Sequence, residues 1–230
     1  TGGGQVRAHA VVVASGVRYR KLRIDAIEQL VGLGVHYGAA MAAARETEDQ
    51  DVFVVGGGNS AGQAAVHLSR FARSVTLLVR RPSVAETMSH YLVEEIRYNP
   101  RITVEECMRV VDGGGHGRLE WLTVQNIDSG QASTRPAGGL FLLLGASPHC
   151  SWLPGGIARD DHGFVLTGRE VPKTSWADGL PPPTFTTTVP GVFAAGDVRS
   201  GSMKRVAAAS GEGASVVPLI HAWLQGRSTS

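Results

Sequence analysis

The sequence predicts an α/β protein with parallel, doubly wound sheets, and three features of the chain support this. Residues 51–79 contain an apolar strand, a glycine turn, a helix of small residues and a second apolar strand. Residues 190–224 repeat the order of strand, glycine turn and helix. The first strand of each stretch is apolar throughout, as expected of strands covered on both faces. Between the two stretches, residues 103–144 change to a strand-rich pattern.

The other elements can be assigned in chain order from periodicity and turn residues. Residues 9–14 form a strand of the buried type, and the alanine-rich stretch within 35–48 is predicted to be a helix. Residues 86–98 are predicted to form an amphipathic helix. Its apolar side carries Met88, Leu92, Val93 and Ile96.

Three strands are predicted in the middle of the chain, at 103–108, 119–126 and 139–144. The turn residues between them are Gly113-Gly114-Gly115 and Asp128-Ser129-Gly130. A proline-rich connector with little regular structure of its own follows near residues 180–183.

A dinucleotide-binding fingerprint, Gly56-x-Gly58-x-x-Ala61, joins the strand at 51–55 to the helix behind it. The glycines permit a tight turn and a close approach of the backbone to a pyrophosphate. The helix presents its N-terminal amides and positive dipole end to the phosphates, and Asn59 or Ser60 can cap it. A glycine turn with a purely structural role is the alternative interpretation.

Two arginines, Arg80 and Arg81, follow the next strand, residues 75–79. In a site for NAD this strand end usually carries an Asp or Glu that binds the ribose 2′-hydroxyl, whereas arginine suits a 2′-phosphate. The pair therefore favours NADP(H). The alternative is a pair of arginines that simply face solvent.

The second strand–glycine–helix unit ends its strand in Gly196-Asp197 and continues as a helix over about residues 206–224. This helix contains Gly211 and Gly213, each of which costs roughly 1 kcal/mol relative to alanine. We expect that a neighbouring segment packs very close to both glycines. A strand, turn and helix with incidental glycines is the other interpretation.

Composition excludes several other classes. The chain has 230 residues, 43% of them hydrophobic, and a net charge of +2, which creates no long-range field for nucleic acid or acidic membranes. The longest strongly apolar run, residues 140–144, is too short to span a bilayer. Cys107 and Cys150 form no Cys-x-x-Cys pair, which argues against a disulfide framework and for a cytoplasmic setting. The histidines lack metal-ligand spacing.

Taken together, the motifs at 56–61, 80–81 and 192–197 give the chain a family resemblance. In their order and spacing they resemble the low-molecular-weight thioredoxin reductases of the pyridine nucleotide-disulfide oxidoreductase superfamily. The closest resemblance is to the thioredoxin-reductase-like modules fused behind cyclic-nucleotide-binding domains in bacteria. The resemblance covers essentially the whole chain and implies two Rossmann-like domains, with an NADPH domain inserted into an FAD domain.

The resemblance implies domain bounds as well. Residues 1–27 and 147–230 would belong to the FAD domain, and residues 28–146 would form the NADP(H)-binding domain. The family's N-terminal FAD fingerprint would lie before Thr1, so the FAD domain is expected to be incomplete in this chain. We therefore expect the chain by itself to hold FAD poorly. A homodimer is a further possibility that the resemblance raises.

The resemblance assigns the NADPH site to a glycine turn and an arginine pair. The turn that would hold the pyrophosphate comprises Gly56, Gly58, Asn59, Ser60 and Ala61. The clamp on the 2′-phosphate would be Arg80 and Arg81. The family often has one more arginine, where this chain has Ala85; Ser83 could compensate, or selectivity for NADPH over NADH is reduced.

The FAD site implied by the resemblance has three parts. The strand-end turn near the FAD pyrophosphate comprises Ala14, Ser15 and Gly16. After Gly196, the carboxylate of Asp197 would accept hydrogen bonds from the ribitol–phosphate region. A helix N-terminus, which stabilises negative charge on reduced flavin, would place backbone amides against the pyrimidine ring from Lys204, Arg205, Val206 and Ala207.

One departure from the family limits the function that can be expected. Gly38 and Met41 stand where thioredoxin reductases carry the redox Cys-x-x-Cys. No catalytic side chain and no metal ligand is therefore assigned, and we expect an oxidoreductase that moves hydride from NADPH to flavin without its own dithiol. Electrons would leave to an acceptor such as a quinone, a ferredoxin-like protein or oxygen. The alternative is a catalytically inactive module that binds or senses NADP(H).

Overall fold

The computed structural model describes residue 4 and residues 6–38 and 41–228. The chain divides into two compact units. The first comprises Thr1–Tyr19 with Ala146–Ser230, and the second comprises Arg20–Gly145. The first division lies at Tyr19 rather than at the predicted residue 27, because Ile27 is fully buried in the core of the second unit.

Strands and helices alternate over residues 17–105, and further strands then follow one another up to the C-terminal helix. In chain order, the elements are β1 (Val11–Val13), β2 (Val17–Tyr19), α1 (Asp25–Glu28), β3 (Val35–Tyr37), α2 (Met41–Arg45), β4 (Asp51–Val55), α3 (Asn59–Leu68), β5 (Ser74–Leu78), α4 (His90–Arg97), β6 (Ile102–Glu105), β7 (Met108–Gly114), β8 (Trp121–Asn126), β9 (Ala132–Pro136), β10 (Gly139–Leu142), β11 (Ala146–Pro148), β12 (Val192–Ala194) and α5 (Val206–Ser228).

The second unit is built on a five-stranded parallel sheet with the order β3-β10-β4-β5-β6. Side chains of β4 alternate between two hydrophobic clusters, with Val52 and Val54 on one face and Phe53 and Val55 on the other. The first cluster contains residues of α3 and α4, and the second contains residues of α1, β7 and β8. Burial on both faces explains why β4 is apolar beyond Asp51, and the predicted α/β class with a parallel sheet is confirmed.

A three-stranded antiparallel sheet, β7-β8-β9, contributes to the second of these clusters. The prediction of a turn at Gly113-Gly114-Gly115 was wrong for its first two residues, which belong to β7. A Cβ atom on Gly113 would meet Leu122 Cδ2 at 2.7 Å, and one on Gly114 would meet Trp121 Cζ2 at 2.9 Å. These glycines leave room for large side chains of the paired strand.

Just before the predicted alanine-rich helix, Val35–Tyr37 forms edge strand β3, which the sequence did not predict. This strand pairs in parallel with β10, with Val35 opposite Leu140. Gly38 follows with φ of 102°, a left-handed conformation that ends the strand, and α2 begins at Met41.

The first unit contains a parallel pair, β1 with β12, and an antiparallel pair, β2 with β11. Phe193 of β12 packs with Val216 of α5, and Trp223 packs against the same cluster. Apolar side chains nevertheless remain exposed on β1 and α5: Val11 at 45%, Val206 at 85% and Val217 at 46%. The close neighbour expected at Gly211 and Gly213 does not occur among the described residues, since a Cβ atom at either position meets nothing within 4 Å.

Candidate functional site

The turn between β4 and α3 lies at the carboxyl edge of the five-stranded sheet. Gly56 has φ of 154°, and a Cβ atom there would stand 2.6 Å from the Leu143 carbonyl oxygen and 2.9 Å from Ala61 Cβ. Only glycine therefore lets the chain leave β4 between the end of β10 and the start of α3. Ligand crevices of open α/β sheets form at such an edge, where neighbouring strands connect in opposite directions.

The N-terminus of α3 is open. Gly58 is the N-cap residue, no side chain caps the helix, and a Cβ atom on Gly58 would meet nothing within 4 Å. The prediction that Asn59 or Ser60 caps the helix was wrong, because Asn59 Oδ1 instead accepts a hydrogen bond from the Ser89 amide at 2.7 Å. A helix of ten residues with uncapped amides beside free space fits an anionic group such as a pyrophosphate.

The segment that joins β5 to α4 forms a wall beside this turn. Thr87 Oγ1 donates a hydrogen bond to the Gly57 carbonyl at 2.7 Å, and Ser89 is bound to Asn59 as described. The buried Ser89 Oγ has no partner within the described residues. Sequence reasoning considered Ser89 either as a cofactor contact or as part of a helix face, but it did not find these contacts with the glycine turn, because they join residues 30 positions apart.

The two arginines follow β5 at the same edge, and the structure treats them differently. Arg81 Nη1 lies 3.1 Å from Glu86 Oε2, in a pair whose side chains are 60% and 43% exposed. Arg80 is exposed and has no ion-pair or hydrogen-bond partner in the part of the chain that the structure describes. Ser83 Oγ accepts a hydrogen bond from the Ala85 amide at 3.2 Å, so its oxygen is engaged in a local turn.

In the first unit, the carboxyl ends of β1 and β12 are adjacent, because Val13 pairs with Ala194 in parallel. Gly16 follows β1 with φ of 67°, and its carbonyl accepts a hydrogen bond from the His149 amide at 2.9 Å. Ala14 is exposed, and Ser15 Oγ is buried without a partner among the described residues. The turn therefore holds an unsatisfied hydroxyl of the kind a polar ligand would engage.

Asp197 occupies the corresponding place after β12, in a single 3-10 turn that spans Gly196–Val198. Its Oδ1 atom is buried and has no partner within the described part of the chain. Gly196 has φ of 75°, and a Cβ atom on it would stand 3.4 Å from Ala209 Cβ. Asp197 Oδ1 and Ser15 Oγ follow the ends of two paired strands, and both lack a partner among the described residues. Two such atoms fit a ligand that carries hydroxyl groups.

A partly buried ion pair fixes the turn that carries Asp197. Glu212 of α5 accepts a hydrogen bond from the Gly196 amide at 2.7 Å and pairs with Arg199 at 2.6 Å. Burial by itself would raise the pKa of Glu212, but the Arg199 guanidinium and the Gly196 amide outweigh burial and leave this pKa below its ordinary value. Sequence reasoning did not assign Glu212, although it stands between the two helix glycines.

The predicted flavin-contacting segment lies at the start of α5. Lys204 has φ of 50°, and its Nζ atom lies 4.2 Å from the centroid of the Phe164 ring. Arg205, Val206 and Ala207 are exposed, and the Ala209 amide donates a hydrogen bond to the Arg205 carbonyl at 2.9 Å. The start of this 23-residue helix is therefore exposed, and a helix N-terminus of this kind has free amides that suit an electronegative ring.

The sequence of this chain matches the family model for pyridine nucleotide-disulphide oxidoreductases over residues 1–213. The chain belongs to this family. Thioredoxin reductase of Streptomyces coelicolor is 31% identical over 215 residues, which cover 94% of this chain and 62% of that protein. NADPH-dependent thioredoxin reductase 3 of Arabidopsis thaliana is 32% identical over 91% of this chain and 37% of that protein.

Solved structures support the same relationship. The thioredoxin reductase of Giardia duodenalis superposes with a TM-score of 0.75 at 26% identity, covering 94% of this chain and 66% of that structure. The thioredoxin reductase of Lactococcus lactis gives 0.71 at 26% identity. This pyridine nucleotide-disulphide oxidoreductase chain thus spans less than two thirds of the length of the first two curated relatives named above.

The two cysteines of this chain, Cys107 and Cys150, are both free thiols with raised pKa values. Cys150 is buried, its Sγ donates to the Gly163 carbonyl at 3.1 Å, and burial raises its pKa. An interaction with Asp128 raises the pKa of Cys107, and burial adds to this effect. The two residues lie in different units and are both free thiols. Raised pKa values disfavour the thiolate that disulfide exchange needs.

No helix within the described residues is both long and apolar enough to cross a membrane. Over the same residues, His, Cys, Asp and Glu side chains do not gather into a group of three that could hold a metal ion.

Proposed function

We propose that this chain is the nucleotide-binding core of an NADPH-dependent flavoprotein oxidoreductase. The observation that carries the proposal is the turn at Gly56–Ala61, where an uncapped helix N-terminus opens onto free space beside two arginines. The curated relatives, whose names describe thioredoxin reductases and in one case NADPH dependence, agree with this assignment. When bound, the nicotinamide and flavin would supply the hydride chemistry between them.

In the second unit, the chain's own residues would bind and orient NADPH. The N-terminal amides of α3, from Asn59 onwards, would donate to the pyrophosphate, with Gly56 and Gly58 keeping side chains out of its way. Arg80 and Arg81 would contact the 2′-phosphate, since a guanidinium presents paired donors to phosphate oxygens. Residues 28–146, or Arg20–Gly145 by the compact units, would then be the NADP(H)-binding domain.

In the first unit, the residues present fit the sugar–phosphate part and the ring of FAD. Ser15 Oγ and Asp197 Oδ1 are the two buried polar atoms that a ribityl chain could satisfy. Gly16 and Gly196, both with positive φ, give the two strand ends the tight turns next to these atoms. The open amides of Arg205, Val206 and Ala207 would stabilise negative charge on a ring bound at the start of α5.

Exposed apolar residues of the first unit support the proposal that a further segment completes this domain. Val11 and Val12 of β1 and Val206 and Val217 of α5 expose apolar surface that a complete doubly wound domain would cover. We include in the proposal that a further segment of the parent protein covers it, supplying additional strands and the remaining FAD contacts. The proposal also includes fusion of the parent protein behind a cyclic-nucleotide-binding domain, as the resemblance implies, and its assembly into a homodimer.

Because neither Cys107 nor Cys150 is placed for disulfide exchange, the proposed electron acceptor is reached directly from the flavin. Its class would be a quinone, a ferredoxin-like protein or oxygen. The rival function is a module that binds NADP(H) without catalysis. One observation favours this rival: in the described residues, the parallel sheet of the first unit has only the two strands β1 and β12.

The test is the visible absorption spectrum of the purified chain after incubation with FAD and desalting, then after anaerobic NADPH. A retained flavin band that NADPH bleaches supports the oxidoreductase and contradicts the need for a completing segment. Binding of NADPH without retained flavin supports the binding module. Absence of both would refute the proposed function of this chain.

A further inference from the structure

The ion pair between Arg81 and Glu86 stands inside the proposed site for the 2′-phosphate. Its nitrogen–oxygen distance is 3.1 Å, and Arg80 beside it has no such partner within the described residues. Arginine binds phosphate well only when its paired donors are free to face the phosphate oxygens. One of the two clamp residues is therefore already engaged by a carboxylate of its own chain.

The backbone holds Glu86 in this position. Glu86 ends a single 3-10 turn, Val84–Glu86, whose first amide donates to Glu106 Oε1 at 2.6 Å. Ser83 Oγ accepts from the Ala85 amide, and Thr87 Oγ1 donates to the Gly57 carbonyl. The backbone of the turn is thus tied to its neighbours on both sides of Glu86, which fixes the point from which the Glu86 side chain reaches Arg81.

The pair is exposed enough for a ligand to compete for it. The side chains are 60% and 43% exposed, and exposed ion pairs of this kind contribute only about 0.2–1 kcal/mol. A phosphate dianion could therefore draw Arg81 away from Glu86. The carboxylate would then remain close to a group of the same charge, which opposes binding of the phosphate.

We propose that Glu86 is a specificity-determining residue that lowers the preference of this site for a 2′-phosphate. It does so by competing for Arg81 and by repelling the dianion, and it acts on NADPH but not on NADH. This inference rests on the proposed function of the second unit as an NADP(H) site. Glu86 is one residue beyond Ala85, the position where the family often has an arginine. The absence of that arginine and the presence of the acid both lower the affinity for a 2′-phosphate.

The experiment measures binding of 2′,5′-ADP and 5′-AMP to the full chain by calorimetry, for the wild type and Glu86→Gln. We expect Glu86→Gln to bind 2′,5′-ADP up to about fivefold more tightly, with 5′-AMP unchanged, since an exposed charge pair is worth up to about this factor. The matched control is Glu94→Gln, which breaks another exposed Glu–Arg pair, with Arg97, on α4. It should leave both affinities unchanged.

A second variant separates the two ways in which Glu86 acts. Glu86→Gln is also made in a chain that carries Arg81→Ala. Without Arg81 there is no guanidinium to release, so Glu86→Gln should raise the 2′,5′-ADP affinity of Arg81→Ala by less than it raises the affinity of the wild type. Equal gains for 2′,5′-ADP and 5′-AMP, or no gain in Glu86→Gln, would overturn the inference while the wild type still binds 2′,5′-ADP. If the wild type binds neither probe, the proposed NADP(H) site itself fails.

Discussion

Gly56→Ala should lower the stability of this protein, whereas Gly58→Ala should weaken nucleotide binding, although the two glycines belong to one turn. A Cβ atom at Gly56 would stand 2.6 Å from the Leu143 carbonyl oxygen, which is a backbone atom and cannot swing aside. The φ of 154° at Gly56 adds strain for any residue with a side chain. Gly58 has φ of −97°, which alanine adopts freely, and open space where its Cβ atom would lie.

The expected size of the effect follows from these contacts. Overpacking and backbone strain together should lower the unfolding free energy of the second unit by about 2–5 kcal/mol in Gly56→Ala. Gly58→Ala should change this free energy by less than about 0.5 kcal/mol, as surface substitutions usually do. Its methyl group would instead occupy the space in front of the α3 amides, and 2′,5′-ADP should bind at least about tenfold more weakly.

Hydrogen–deuterium exchange read by mass spectrometry suits a chain with two compact units, because peptides from β4 and α3 report the second unit alone. In Gly56→Ala the amides of these peptides should exchange at least about thirtyfold faster, which corresponds to 2 kcal/mol. Peptides from the first unit serve as the internal reference. Unchanged exchange in Gly56→Ala, or equal destabilisation by both variants, would refute the steric reasoning.

Three further predictions test the sites separately. Arg80→Ala should weaken 2′,5′-ADP binding about tenfold with 5′-AMP unchanged, because a free guanidinium contact to phosphate is lost; calorimetry measures both. Thr87→Val should weaken 2′,5′-ADP binding by up to about fivefold, since a hydrogen bond of about 1 kcal/mol to Gly57 no longer holds the turn. Glu212→Gln should lower the stability of the first unit by about 1–3 kcal/mol at neutral pH, measured by hydrogen exchange at several pH values. Because the folded pKa of Glu212 is depressed, its contribution is present above its ordinary pKa of 4.5 and is lost as the pH falls through the folded value, so wild type and variant should converge in acid.

Opposite results would be equally informative. An equal loss of 5′-AMP and 2′,5′-ADP binding in Arg80→Ala would mean that this residue does not face the 2′-phosphate. Full nucleotide affinity in Thr87→Val would show that the turn keeps its shape without this hydrogen bond. A gap between wild type and Glu212→Gln that persists in acid would show that packing, rather than the charge on Glu212, stabilises the first unit.

Short-range patterns were the most predictable part of the fold. The strand β4, the glycine turn and α3 could be found from neighbouring residues alone, because each depends on local backbone preference and on burial of a contiguous apolar run. The strand β3 could not be found in this way. Val35–Tyr37 is only three residues long and is stabilised by pairing with β10, more than a hundred positions further on.

By itself, the sequence determined the α/β class, the place of the glycine turn that we propose binds phosphate, and the presence of two arginines rather than an acid beyond β5. These features depend on residue type within a few positions, so the linear order suffices. Tertiary structure alone decided which polar atoms are engaged: Asn59 binds Ser89 instead of capping α3, and Ser15 Oγ is left buried without a partner among the described residues. Hydrogen bonds of this kind depend on where distant segments meet in space, and no local spacing in the chain encodes that distance.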